Sequence, residues 1–317
     1  MKRMLAMIAA LCLLLSACGM EQTRTGHTEE TAGEARITFT DDMGVELSIA
    51  PPERVACLSA GLADVWTAAG GAGQIVATTN ATWTYYDLPL AEDTVNLGVA
   101  GSLDLEALIA SQPDLILASG GADHNQDTNE TLREAGLTVA TFTINDLSDY
   151  LRMLEIAAEL TGCPENYDLY GEQVRQRADG AIARADGSRP TVLYIRATGS
   201  SCKVKNSEDS VLGRMLAELD CVNIADGDQT LLEELSMEAI LQADPDYIFA
   251  VCHSSSDPAK AQKVLDETLF QNPAWNSLTA VEEGRFHLLT DPMFFNLKPN
   301  AQWGEAYEML ADILYPA

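Results

Sequence analysis

Three cationic residues stand close together in an otherwise acidic chain. Arg196, Lys203 and Lys205 fall within ten residues, although the 317-residue sequence holds only 19 Lys and Arg against 48 Asp and Glu, a formal charge of −29. Cations grouped this way can pair with the carboxylates or catecholates of an anionic ligand. A solvated surface loop would carry them equally well. A second group is aromatic: Trp83, Tyr85 and Tyr86 cluster in a loop of a chain with only 6% Phe, Trp and Tyr. Exposed rings of this kind stack against a flat or conjugated ligand. A loop folded down over its own core would use the same rings, so both readings stand. The net charge would repel phosphate backbones, which excludes nucleic acid as a partner.

Signatures of catalysis are missing. The sequence has no P-loop, no G-x-S-x-G elbow and no H-E-x-x-H, and Gly70-Gly71-Ala72-Gly73 lacks the later glycine of G-x-G-x-x-G. The expectation is a protein that is not an enzyme. A receptor for a bare metal ion needs several imidazoles or carboxylates converging on one ion; four histidines, with His27 in a polar N-terminal stretch, make that reading thin. Of seven cysteines, Cys57, Cys163, Cys202, Cys221 and Cys252 lie beyond residue 36, and none forms a C-x-x-C pair.

The elements that position these residues are legible from a repeat. Leu103 to Ala118 reads LDLEALIASQPDLILA and Leu235 to Ala250 reads LSMEAILQADPDYIFA, with seven of sixteen positions identical at an offset of 132 residues. In each copy Asp104 or Ser236 supplies a helix N-cap, a two-turn helix follows, Pro-Asp breaks it, and an apolar run makes a buried strand. Helix then buried strand, twice, predicts two related α/β lobes with mainly parallel sheets. Ile37 to Ile49 alternates around Asp42-Met43-Gly44, a hairpin pattern. Val55–Leu58, Ile75–Thr78, Leu137–Phe142 and Thr191–Ile195 read as further strands. Pro164 opens a stripe of Tyr170, Val174, Ala178, Ile182 and Ala185, which predicts one connecting helix of roughly 30 Å.

In such sheets ligands bind beyond the carboxyl ends of the strands. That rule gathers Ser59, Trp83, Tyr85, Tyr86, Ser119 and Gly120 from the first half, and Arg196, Lys203, Lys205, His253, Phe294 and Phe295 from the second, along one groove between the lobes.

The start of the chain carries a different pattern. Lys2 and Arg3 precede twelve apolar residues, Met4 to Leu15, too short to span a bilayer. Residues 1–17 read as a signal peptide, and Leu15-Ser16-Ala17-Cys18 resembles the bacterial lipobox, in which the cysteine is acylated. Two acyl chains suffice for stable anchoring. Residues 18–36 then form a polar tether, followed by an N-terminal lobe over 37–163, the connecting helix over 164–186 and a C-terminal lobe over 187–317.

The segments TFTDDMGVELSIAPPERVACLSAG, LDLEALIASQPDLILAS, NPAWNSLTAVEEGRFHLL and KPNAQWGEAYEMLADILYP, in that order, make the chain from Ile37 to Pro316 resemble the helical-backbone solute-binding proteins that serve ABC importers of iron-siderophore, heme and cobalamin. The resemblance implies capture of an iron complex, such as a ferric siderophore, in the interlobe cleft and delivery to a permease dimer with its ATPase subunits. Heme and cobalamin are the alternatives, and a surface sensor or adhesin without a transporter is the alternative of another class. It implies no cofactor, the chelate being cargo. It also implies that Glu106 and Glu238, one per lobe at the same motif position, dock onto permease arginines. A Glu at the second helical position is favoured by the helix dipole alone, so the local account also suffices. Heme would take an axial His, Tyr or Met, for which His124, His253, Met293 and Tyr85 are the candidates. A siderophore needs no protein ligand to its iron.

Overall fold

β1 (Ile37–Thr40) and β2 (Glu46–Ile49) form the expected antiparallel hairpin, in register from Ile37↔Ile49 to Thr40↔Glu46. The computed structural model describes residues 36–120, 123–252, 258–291 and 299–316, so the leader and Cys18 lie outside the described residues. The hairpin turn is a polar clamp. Asp41 accepts hydrogen bonds from the N–H groups of Met43, Val45 and Thr141 at 3.0, 2.9 and 3.0 Å. Its carboxylate has no solvent exposure and pairs with Arg133 at 2.6 Å. Asp42 pairs with Arg152.

In the first half the chain runs through β3 (Val55–Cys57), α1 (Ala60–Ala68), β4 (Ile75–Thr78), α2 (Ala81–Tyr85) and β5 (Val95–Asn96). A small hairpin, β6 (Gly98–Val99) and β7 (Ser102–Leu103), leads to α3 (Leu105–Ala110), β8 (Leu115–Ser119), α4 (Asp123–Glu134), β9 (Val139–Phe142) and α5 (Leu147–Thr161). The sheet order is β5-β4-β3-β8-β9 and every pair is parallel. Strands buried on both faces explain the unbroken apolar runs of β3 and β8.

α6 (Glu165–Tyr167) and α7 (Gln173–Ile182) are joined by a π turn at Asp168–Glu172 into one helical run over 165–182, with Pro164 at its start. Of the predicted stripe, Val174 and Ala178 are buried and Tyr170, Ile182 and Ala185 half-buried, with Ala185 beyond the end of the run.

The second half carries β10 (Thr191–Ala197), β11 (Cys202–Lys205), α8 (Val211–Glu218), β12 (Val222–Asn223), α9 (Gln229–Glu233), α10 (Met237–Ala243) and β13 (Tyr247–Cys252). α11 (Pro258–Leu265), α12 (Thr279–Glu282), β14 (Phe286–Leu289) and α13 (Trp303–Leu314) follow. Its sheet is ordered β11-β10-β13-β14 with β12 beside β10, all parallel except the β10–β11 pair. α13 lies along α7. Gly304 is the point of closest approach, where a Cβ would stand 2.7 Å from Arg177 Cβ and 3.0 Å from the Val174 carbonyl oxygen. Arg177–Glu308 and Arg184–Asp312 ion pairs (2.5 and 2.6 Å) flank the contact.

One apolar core runs through both halves. It takes Leu62, Trp66, Tyr150 and Leu154 from the first, Tyr194, Leu212 and Phe249 from the second, and Trp303 and Tyr307 from α13. Because alternate strand residues face opposite ways, Leu193, Ile195 and Ile248 back the second sheet separately, and Ala56, Ile116 and Leu132 the first. The result is the expected α/β architecture of two lobes with mainly parallel sheets and a helix between them. No helix among the described residues is long and apolar enough to cross a membrane. The five described cysteines are free thiols.

Candidate ligand site

A cavity of about 320 Å³ lies at the carboxyl ends of β3 and β8, where the strand-end rule places a ligand. Leu58 and Ser59 line it after β3, Ser119 at the end of β8, Ala100 to Leu103 from the β6–β7 turn, and Asn125, Thr128 and Asn129 from α4. Among the described residues the lining offers hydroxyl and amide groups and no ionised side chain, which suits an uncharged, hydrogen-bonding part of a ligand. Ser59 is also the N-cap of α1, accepting from the Leu62 N–H at 3.4 Å. Asn129, 2% exposed, donates to the Ser119 carbonyl at 3.2 Å and so fixes the end of β8. Gly120 is buried behind it: a Cβ there would come within 2.7 Å of Thr143 Oγ1, so a side chain does not fit.

The cations are held differently from the sequence reading, which puts them in a loop past the strand. β10 continues to Ala197, and the chain turns back through Thr198–Ser201 into β11, with Arg196 opposite Lys203 and Tyr194 opposite Lys205. Directly opposed residues share a face, so Arg196, Lys203 and Lys205 project from one side of an edge hairpin. Among the described residues none of the three makes an ion pair or a side-chain hydrogen bond. Burial, and then the charge of Arg196, hold the Lys205 ammonium below its ordinary range, against the pull of Asp209. None of these three lines the cavity; its described lining comes from the first half alone.

The aromatic group lies on and beside a one-turn helix rather than in a loop. Trp83 is 45% exposed, whereas Tyr85 and Tyr86 are half-buried. Burial, and then the nearby Asp64 charge, raise the Tyr86 phenol, which places this half-buried residue near Asp64 of α1. Glu106 and Glu238 are both exposed in the first turns of α3 and α10. The predicted caps are in place: Asp104 accepts from the Ala107 N–H at 2.9 Å and Ser236 from the Ala239 N–H at 3.3 Å. His253, Met293, Phe294 and Phe295 lie outside the described residues, as does the side chain of His124.

Two features are not anticipated by the sequence. The α4 face of the cavity comes from Asn125, Thr128 and Asn129, whose one available signal is an unusually polar stretch directly after a buried strand. The halves also meet through an ion pair: Asp146, the N-cap of α5, stands 3.8 Å from Arg214 of α8.

Two mainly parallel sheets, a helix between them and a cavity at the strand ends of one define a two-lobed solute-binding protein. The chain matches the Peripla_BP_2 periplasmic binding protein family over residues 55–293 and belongs to it. Among solved structures it is similar to the iron uptake ABC transporter substrate-binding protein PiuA from Streptococcus pneumoniae Canada MDR_19A, at 19% identity and a TM-score of 0.69, covering 88% of this chain and 97% of that one. The periplasmic vitamin B12 binding protein BtuF of Vibrio cholerae matches at 20% identity and a TM-score of 0.67 (83% and 97%). The periplasmic heme-binding protein RhuT from Roseiflexus sp. RS-1, in apo form, matches at 20% and 0.64 (83% and 98%). No curated protein sequence matches. At these identities the structures report the fold.

Proposed function

We propose that this protein captures a metal chelate, first of all a ferric siderophore or related iron complex, between its lobes and hands it to the permease dimer of an ABC importer. The observation that carries the reading is the family match across residues 55–293. The iron uptake neighbour supports the cargo. Heme and cobalamin form the second reading, favoured by the heme-binding and vitamin B12-binding neighbours. The cavity at Ser59 and Ser119 would hold an uncharged portion of the complex, and the hairpin cations Arg196, Lys203 and Lys205 its anionic groups. Trp83 is exposed for stacking, and His253, Phe294 and Phe295 complete the reading from the sequence. Glu106 and Glu238 are the permease contacts, Cys18 is the lipid anchor and residues 18–36 the tether to the extracytoplasmic face of the membrane. Lobes joined by a helix and sharing one core would open by a small angle only.

The test is titration of the purified protein, followed by tryptophan fluorescence, with a ferric tris-catecholate, a ferric tris-hydroxamate, hemin and cobalamin. Saturable quenching by a ferric chelate is expected. A Soret shift with hemin that is lost in Tyr85→Phe or His253→Ala would move heme to first place. No response to any of the four would contradict the reading.

A further inference from the structure

Asp64 lies half-buried where four parts of the molecule meet. It lies in α1, and Asn300 reaches it from the 3-10 turn Asn300–Gln302 that leads into α13, donating through Nδ2 to Asp64 Oδ2 at 2.7 Å and to the Gly61 carbonyl at 3.0 Å. Tyr86 beyond α2 and Tyr150 of α5 close around the carboxyl, close enough that its charge raises both phenols after burial has done so. Tyr150 in turn donates to the Tyr170 carbonyl of the connecting helix at 2.6 Å. Asn300 itself is fully buried and held at a φ of 50°, a left-handed backbone that persists only where the surroundings impose it. Its Oδ1 is buried without a partner, so the two bonds to α1 are the whole polar compensation of its side chain among the described residues.

We propose that Asp64 and Asn300 form a proton-sensitive joint that fastens the C-terminal segment to α1, the helix whose N-cap Ser59 lines the ligand cavity. The ionised carboxylate receives one hydrogen-bond donor and faces no cation among the described residues. α1 has no other ionisable group, α2 and its end bring Tyr85 and Tyr86, and the strands behind bring only the Cys57 thiol. On α5, Asp149 accepts from the Asn145 N–H, Arg152 is taken by Asp42, and Glu155 and Glu159 are exposed. From the connecting helix Tyr167 and Tyr170 face Tyr150, and the turn 300–302 contributes no ionisable side chain. Desolvation therefore dominates and moves the Asp64 carboxyl up to about 6, with the Asn300 bond pulling the other way. A carboxyl raised in the folded state contributes stability that is fully present below its unfolded value. That contribution is lost as pH rises through about 6. The joint is tightest below the unfolded carboxyl value and loosens as pH rises through about 6. Ser59, at the start of the same helix, lines the cavity, so the proton acts on a wall of the ligand site.

The inference needs no ligand and is tested on the unliganded protein. Carboxyl-carbon NMR should show the Asp64 signal titrating with a midpoint near 6. Wild type should lose several degrees of melting temperature, relative to Asp64→Asn, between about pH 4 and about pH 7. Amides at residues 61–66 and 300–304 should exchange several-fold faster in wild type than in the variant near neutrality, and alike in acid. A midpoint at the ordinary aspartate value, or a variant with the wild-type pH profile, would overturn the joint. The NMR titration decides the matter even if the variant does not fold.

Discussion

Asp114 and Asp246, at equivalent positions of the repeat, do the same structural work in the two lobes. Asp114 accepts from the backbone N–H groups of Glu53 and Arg54 at 2.8 and 3.1 Å, just ahead of β3. Asp246 accepts from the N–H and hydroxyl of Thr191, the first residue of β10, both at 2.7 Å. In each lobe the Pro-Asp step thus ties the strand it precedes to the neighbouring strand of the same sheet. Asp114→Ala and Asp246→Ala should each cost about 1–3 kcal/mol, measured by urea unfolding. The larger loss should fall on Asp246, whose partners are half-buried. Chelate binding at saturating stability should be unchanged.

Glu106 and Glu238 are exposed, and each lies in a helix whose first turn is already capped by its neighbour. Their loss should cost the fold only a few tenths of a kcal/mol. Glu106→Arg or Glu238→Arg is expected to leave chelate affinity intact in the fluorescence titration and to cut cellular uptake. Unchanged uptake in both variants would remove the docking assignment.

The hairpin cations predict a charge preference. Arg196→Gln with Lys203→Gln should weaken an anionic ferric tris-catecholate by about tenfold or more, the scale of a lost charge-assisted bond. The wild-type affinity should also fall as salt is raised. Equal affinities of variant and wild type would place the ligand elsewhere.

The β1–β2 clamp gives a stability prediction with no functional component. Arg133→Ala leaves the buried Asp41 carboxylate without its cation, although three backbone N–H donors remain. A loss of about 2–3 kcal/mol is expected by chemical unfolding.

The legible part of this protein is what short-range pattern encodes. Apolar runs gave β3, β8 and β13 to within a residue or two, and the repeat gave α3 and α10 with their caps. The β10–β11 hairpin is harder to see, because Cys202–Lys205 is a four-residue edge strand whose outward positions are lysines. α2 lacks a side-chain cap and spans five residues, so its rings read as a loop. α4 contains no apolar stripe strong enough to declare a helix within DHNQDTNETLRE. The Asp64–Asn300 contact joins residues 236 apart and leaves no local trace. Of the proposed site, Ser59 and Ser119 are recoverable from the strand-end rule alone, whereas the α4 amides depend on how a polar helix packs.

The central claim is that the chain is the carrier of an iron chelate for an importer, and uptake by whole cells tests it most directly. Cells lacking this protein should take up a radio-iron-labelled chelate, chosen as the tightest ligand in the titration, at a small fraction of the normal rate. Wild type supplied in trans should restore it, and Glu106→Arg should not. Uptake that is unaffected by loss of the protein would contradict the account.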